Sequence, residues 1–440
     1  MQKGSGKKWI LVLLFTGTLI NAIDRASLAT ANTAIANDLH LNMETMGLVL
    51  SAFGWTYLLF NLPMGWLCDK FGTKKVYGIS ALIWSLASAL TGAVKGLSML
   101  LFSRVMVGAG EAANFPAATK AIVDNFDESE RGTATGIYLS GLRLGSAITP
   151  ALMVALMLFF GNEAHPNWRI AFYVTGFGSL IWVVLWFLTF KNSKKRSQPL
   201  QSSVRTTSEQ APKMSLMQLL KYRNTWAIFF IKFFQDYLYY LFLTWLPGYL
   251  STARHMDLKH VAFYATLPWI AGMLAQPLVG VISDRLVKRG YNVTRVKKTL
   301  IVISQLLSVS VIGAAYAGSA ISAAVLLVIT MAAESASTAI LWSIPQDLAP
   351  EGSAGALGGL MNTAGAFASI VSPILTGFIA QRYGFASALV LGGSMMIAAA
   401  LSVVFFLTKI RPLDMLKSEL QIEPIAFNTK TAAKNSANLP

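Results

Sequence analysis

Long apolar runs, each closed by a short polar stretch, recur along most of the chain. Among them are WILVLLFTGTLI (9–20), VYGISALIWSLASALTGAV (76–94), AFYVTGFGSLIWVVLWFLTF (171–190) and LVLGGSMMIAAALSVVFFLT (389–408). A helix of about 20 apolar residues crosses the hydrocarbon core of a bilayer. The pattern predicts twelve such helices, near 9–33, 45–67, 76–94, 98–123, 132–160, 169–190, 225–250, 260–283, 299–317, 320–346, 354–380 and 386–408. Gly and Pro inside these runs are no objection, because neighbouring helices satisfy the backbone groups they free. The first run has basic flanks (Lys3, Lys7, Lys8), as a signal peptide would. No small-residue cleavage site follows it and the run continues through Asp24 and Arg25, so it reads as a retained helix.

The sixth and seventh runs are separated by KNSKKRSQPLQSSVRTTSEQAPKMS (191–215), rich in Ser, Gln, Lys and Pro and without an apolar period. It reads as a flexible linker. The division expected is a six-helix half over 1–190, a cytoplasmic linker over 191–224, a second six-helix half over 225–411 and a polar tail over 412–440. An internal echo supports it. GWLCDKFGTKK (65–75) joins the second and third runs, and GVISDRLVKRG (280–290) joins the eighth and ninth. Each sets a Gly, then an Asp four residues on, then bases at a helix end. The fold class predicted is therefore all-α: a polytopic membrane protein of two pseudo-symmetric six-helix halves. Such parallel repeats characterise secondary transporters, whose sites lie at the midplane between halves. Asp69 and its duplicate Asp284 are expected to hold helix ends in one conformation, and Gly65 to permit close helix contact.

Composition agrees with the pattern. Of 440 residues, 54% are hydrophobic and 13% charged, where a soluble chain carries about 25% charged; mean hydropathy is +0.54. The net charge of +16 would suit nucleic acid, but its placement does not. Bases gather at Lys3–Lys8, Lys70–Lys75, Lys191–Arg223, Arg285–Lys298 and the C-terminal tail, while the alternate loops hold only Lys95, Arg169, Arg254, Lys259 and Arg382. That asymmetry is the positive-inside pattern of a membrane protein with both termini cytoplasmic. Without a cleavable targeting sequence, a bacterial inner membrane is the expected location. One cysteine, Cys68, and four histidines without ligand spacing leave no disulfide, metal site or cofactor to expect. No phosphate-cradling loop or nucleophile–base pair appears, so an enzyme is not expected.

Charges inside the runs carry the functional expectation. Each costs about 2.5–3.5 kcal/mol at mid-bilayer, so each must face a partner or a wet cavity. Asp24 and Arg25 lie within the first run. Arg104 and Glu111, seven apart, project from one face of the fourth, and the fifth carries Arg143. A guanidinium grips a carboxylate through two parallel hydrogen bonds, which makes Arg25 the first candidate for an anionic substrate, with Tyr57 adding a hydroxyl. Asp24 and Glu111 are the proton-handling candidates and Arg104 their modulator, since the balance between burial and a nearby arginine decides whether a carboxyl keeps its proton. Protonation then makes an acid release its arginine, and the freed arginine takes the anion. In the second half the candidates are polar rather than charged. The seventh run adds Gln235, Asp236 and Trp245, the last as part of an outer gate.

GWLCDKFGTKK resembles the cytoplasmic loop signature of the major facilitator superfamily. DRASLATA (24–31), SAFGWTYLLFNLPMGWLCDKFG (51–72), SRVMVGAGEAANFPA (103–117) and AQRYGFASALV (380–390) resemble the anion:cation symporters, which include carriers of hexuronates, galactonate, glucarate and phthalate and the sialin-like carriers. The resemblance implies proton coupling at Asp24 and Glu111, and contact of Ser343 and Asn362 with substrate hydroxyls. Two positions depart from galactonate-type members: Leu142 stands where they have a glutamine, followed here by Arg143, and Glu334 has no counterpart. The expectation is a monomeric importer of a small organic anion (a sugar acid or another carboxylate), driven by protons or by Na⁺. A proton-coupled exporter of drugs or metabolites is the alternative. It is disfavoured by the separation of Gly145 from Pro150 and by the paired intramembrane arginines. A receptor would need a signalling domain that neither linker nor tail is built to be.

Overall fold

The computed structural model describes residues 4–192, 216–349 and 354–413. Most of the expected linker (193–215) and nearly all of the expected tail (414–440) lie outside the described residues. Among the described residues fourteen helices are found: α1 (Gly4–Asp38), α2 (Met43–Phe71), α3 (Thr73–Gly92), α4 (Leu97–Glu111), α5 (Asn114–Asn125), α6 (Glu128–Phe159), α7 (Trp168–Thr189), α8 (Leu216–Leu219), α9 (Arg223–Thr252), α10 (Leu258–Lys288), α11 (Val293–Ser308), α12 (Ser310–Ala315), α13 (Ala320–Leu348) and α14 (Ala354–Phe405). No strand occurs among the described residues.

These helices make twelve spans. Eight are long and apolar enough by themselves to cross a membrane. One of the eight, α14, crosses twice, because it is non-helical at Gly384 (φ 80°, ψ 163°), a backbone conformation that a Cβ disfavours. The remaining three spans are α3, α4 with α5, and α9. The last two are less apolar for a reason that matters below: they carry Arg104, Glu111 and Lys120, and Lys232 and Asp236. The fourth span breaks at Ala112–Ala113, directly after Glu111, and the ninth at Val309, where single helices were expected.

An even number of spans puts both described ends on one face, here termed the near face. The apolar cores show how the halves meet. Toward the opposite, far face a single cluster joins Leu28, Val49 and Met153 of the first half to Tyr237, Leu246 and Trp269 of the second. Toward the near face there are two separate clusters, one around Tyr77, Trp84 and Trp186 and one around Ile231, Ile340 and Met361. Polar contacts repeat the division. Thr33 and Ser251 hydroxyls meet at 3.0 Å, Met43 N–H donates to Gln381 Oε1 at 3.0 Å, and Lys259 pairs with Glu163 at 2.7 Å, all across the halves on the far side. Two glycines face each other there: a Cβ on Gly47 would lie 2.7 Å from the Pro373 carbonyl, and one on Gly377 2.5 Å from the Met43 carbonyl.

On the near side every ion pair among the described residues stays within its half. Lys7 pairs with Asp127 and Glu130 at 2.8 and 2.6 Å, Lys120 with Asp69 at 3.0 Å, and Lys297 with Asp347 at 2.5 Å. The halves are thus closed on the far side and parted on the near side.

Candidate functional site

The buried charges converge where the parting begins. A cavity of about 30 Å³ lies between the halves, lined by Arg25, Phe53 and Arg104 from one and Tyr240, Thr244 and Ser369 from the other. Arg25 Nε donates to Glu111 Oε2 at 2.6 Å, both groups almost wholly enclosed. The guanidinium lies 4.7 Å from the ring centres of both Phe53 and Tyr57, whose rings stack 5.4 Å apart. Glu111 reaches this point because it ends α4, where the helix breaks. Arg104, two turns earlier on the same face, is fully buried with it.

Several polar atoms at this point have no hydrogen-bond partner among the described residues: Arg25 Nη2, Arg104 Nε and Nη1, Glu111 Oε1 and Asp24 Oδ2. Buried groups are ordinarily satisfied. A guanidinium edge left free beside a cavity has the chemistry to take an anion. Asp24 does not line the cavity; it is buried behind it with Glu111, Arg104 and Ser88 as neighbours. The expected grouping of Asp24, Arg25, Tyr57, Arg104 and Glu111 is therefore brought together.

Arg143 stands apart from that group and crosses to the other half, where Nη1 donates to Ser335 Oγ at 3.4 Å and the guanidinium lies 5.5 Å from the Tyr239 ring. Ser335 in turn donates to Glu334 Oε2 at 3.2 Å. Glu334 also accepts from Thr338 Oγ1 at 2.7 Å and Gln235 Nε2 at 3.3 Å. The second half is accordingly charged as well as polar, contrary to expectation. Its largest omission was Lys232, buried in α9 and paired with Asp236 at 2.6 Å. The signal was present in FFIKFFQDYLYY, where a lysine and an aspartate one turn apart interrupt an aromatic run.

The other expected residues are dispersed. Ser343 accepts from Lys297 Nζ at 2.7 Å and donates to the Ile340 carbonyl, on the near side and away from the cavity. Asn362 is exposed; seven residues before Ser369, it lies on the same face of α14, two turns nearer the open side. Trp245 donates to the Pro373 carbonyl at 3.2 Å and packs against Gly377, backing the closed far side. Asp69 holds Lys120, whereas Asp284 is exposed with no partner among the described residues. Gly65 is not tightly packed: a Cβ there would meet Pro116 at an ordinary 3.8 Å, so the close contact expected of it is absent in this arrangement.

Two six-helix halves enclosing a charged midplane cavity define a membrane transporter rather than an enzyme. The Major Facilitator Superfamily pattern matches residues 14–373, and the chain belongs to that family. A probable sulfoacetate transporter of Cupriavidus necator is 34% identical over 92% of this chain and 94% of its own length. A probable galactarate/D-glucarate transporter of Bacillus subtilis is 33% identical over 95% of each. A D-galactonate transporter of Escherichia coli is 30% identical over 93% of this chain and 97% of its own. Among solved structures, the inward-facing, occupied bacterial homologue of the human lysosomal transporter Spinster superposes with a TM-score of 0.73 at 18% identity, over 94% of this chain and 97% of that one. A D-xylose–proton symporter does so with 0.73 at 14% identity, over 91% and 98%.

Proposed function

We propose that the protein imports a small organic anion, a sugar acid or a comparable carboxylate or sulfonate, by proton symport with alternating access. The observation that carries this reading is Arg25, held by Glu111 at 2.6 Å at the edge of a cavity between the halves while its Nη2 is left unpartnered. The relatives named for sulfoacetate, galactarate/D-glucarate and galactonate, all organic anions, support it.

Charge balance supports the coupling. The midplane holds four cations (Arg25, Arg104, Arg143, Lys232) and four acids (Asp24, Glu111, Asp236, Glu334), a neutral set when all are ionised. An anion entering this low-dielectric set adds uncompensated charge unless acids take up protons with it. A proton on Glu111 releases Arg25, and the substrate carboxylate or sulfonate takes its place. Asp24 passes the proton on, with Arg104 holding the two acids apart in charge state. The neutral, occupied site then lets the halves rock, parting the far-side contacts and closing the near side, where Asp69 and Asp284 act as helix-end holds. The near face carries most of the bases, which supports its assignment as the cytoplasmic face, in a bacterial inner membrane.

Uptake into proteoliposomes tests the reading, with uronates, aldonates, aldarates and sulfoacetate offered under an inward proton gradient, a Na⁺ gradient or none. Wild type is expected to accumulate at least one anion only with the proton gradient. Arg25→Ala abolishes uptake. Glu111→Gln abolishes accumulation but retains exchange of internal for external anion. Accumulation driven by Na⁺ alone, or no anion moved at all, overturns it.

A further inference from the structure

Beyond its place in the charge balance, the Lys232–Asp236 pair has no step of its own in the mechanism above. Along α9, Lys232, Asp236, Tyr240 and Leu243 fall at helical spacing on one face, and the last two line the central cavity with Arg25. The pair therefore continues the wall of the cleft toward its open side. It is enclosed, with side chains 7% and 11% exposed, and Lys232 Nζ lies 5.4 Å from the centre of the Trp342 ring. The backbone of α14 makes room for the acid: a Cβ on Gly365 would lie 2.4 Å from Asp236 Oδ2. Replacing a buried ion pair with apolar side chains is often neutral or stabilising, so packing alone does not account for it. Its neighbours belong to the same charge set. Asp236 is within electrostatic reach of Glu334 and Arg143, and both Arg25 and Asp236 act on Tyr239 and Tyr240 between them.

The two halves thus carry matching devices, each a cation gripped at 2.6 Å by an acid: Arg25 with Glu111 and Lys232 with Asp236. They are staggered in depth. Arg25 lies 13 residues from the far end of α1, Arg143 16 from that of α6 and Lys232 20 from that of α9 (38 − 25, 159 − 143, 252 − 232). Seven residues of helix are about 10 Å, within the combined reach of a long lysine, a long arginine and a ligand between them.

We infer that Lys232 is a second anion-binding cation and Asp236 its releasable partner, so that the site selects a dianion with a charged group at each end. This rests on the anion reading above and deepens it. One end is taken by Arg25 in the first half, the other by Lys232 in the second. Two protons, one on Glu111 and one on Asp236, release the two cations and balance the two negative charges. A monoanion engages one device only. Because the ends of a dianion touch both halves, its binding also ties the halves together.

The test uses matched probes in proteoliposomes: galactarate against galactonate, and sulfoacetate against acetate. Wild type is expected to favour the dianion of at least one pair. Lys232→Met lowers kcat/KM for that dianion about 10- to 150-fold, the loss of one charge-assisted contact. The matching monoanion is lowered less, because loss of the lysine also leaves Asp236 uncompensated in the shared charge set, so the readout is the fall in the dianion-to-monoanion ratio. Lys232→Arg restores the dianion. Accumulation measured against imposed pH gradients falls from two protons per dianion to one in Asp236→Asn. Equal loss of both members of a pair, or an unchanged preference in Lys232→Met, overturns the second site and leaves the anion reading standing. A preference of wild type for the monoanions does the same. If no anion moves in wild type, both readings fall together.

Discussion

The contact between Gly47 and Gly377 gives the far-side closure a number. In Gly47→Ala the new Cβ would stand 2.7 Å from the Pro373 carbonyl and 3.4 Å from the Cα atoms of Ile374 and Gly377. The first of these is backbone on a helix that cannot swing aside as a side chain would. Overpacking of this kind costs about 1–3 kcal/mol. The contact exists only while the far side is closed, so the cost falls on that conformation alone. The equilibrium then moves toward the far-open state by about 5- to 150-fold. The assay is maleimide labelling in detergent, in a Cys68→Ser background, with a reporter at Asn32→Cys or Asn362→Cys. Asn32 is buried against Gly248 across the closed side, whereas Asn362 faces the open side. Gly47→Ala is expected to speed labelling at the first and slow it at the second. Gly178→Ala, where a Cβ meets no atom within 4 Å, is the matched control and changes neither. Equal labelling in Gly47→Ala and the control would refute the gate. So would a fall in Tm with no change in labelling, since the glycine contact would then hold the fold and not the gate.

Two further outcomes follow from named contacts. Arg25→Lys keeps the charge but loses the planar pair of donors; KM for the transported anion rises about 10-fold with kcat changed less, and an unchanged KM removes Arg25 from the binding role. At the near face the Lys7 ammonium, hydrogen-bonded at 2.6 Å, holds the exposed Glu130 carboxyl below its ordinary range. A folded-state value below the unfolded one adds stability that is present above the ordinary carboxylate range and is lost as pH falls through the lowered value. Lys7→Met should flatten that acid limb of the Tm–pH profile, and parallel profiles would show that the pair contributes nothing to it.

The spans were legible because hydropathy needs no tertiary information: a run of apolar residues meets the same lipid whatever its neighbours. The break at Val309 was not, since no Pro marks it; the break at Ala112–Ala113 was signalled by Gly110 and by Pro116, whose ring removes the N–H that would bond the Ala112 carbonyl, and was passed over. The Arg25–Glu111 contact could be expected because an intramembrane charge must find an opposite one, and few were available. The same rule applied to Asp236, which was named, but its partner Lys232 sits in the same helix amid eight aromatic residues between 226 and 240 and was hidden by them. Ser343 illustrates the converse. Its residue type suited a substrate hydroxyl, yet the lysine that occupies it comes from another helix 46 positions earlier in the chain, a pairing no local pattern encodes.

The rings of Phe53 and Tyr57 against Arg25 bear on speed. In the exchange proposed above, a guanidinium passing from Glu111 to an incoming anion spends an interval bound to neither, and in hydrocarbon that interval would be a high activation barrier. A desolvated cation–π contact is worth about 2 kcal/mol, and here two ring faces stand at the same 4.7 Å. In the proposed exchange they would hold the cation in place while its carboxylate leaves, much as a solvent would. On that reading partner exchange would run ahead of the rocking of the halves, and the large motion would set the turnover rate.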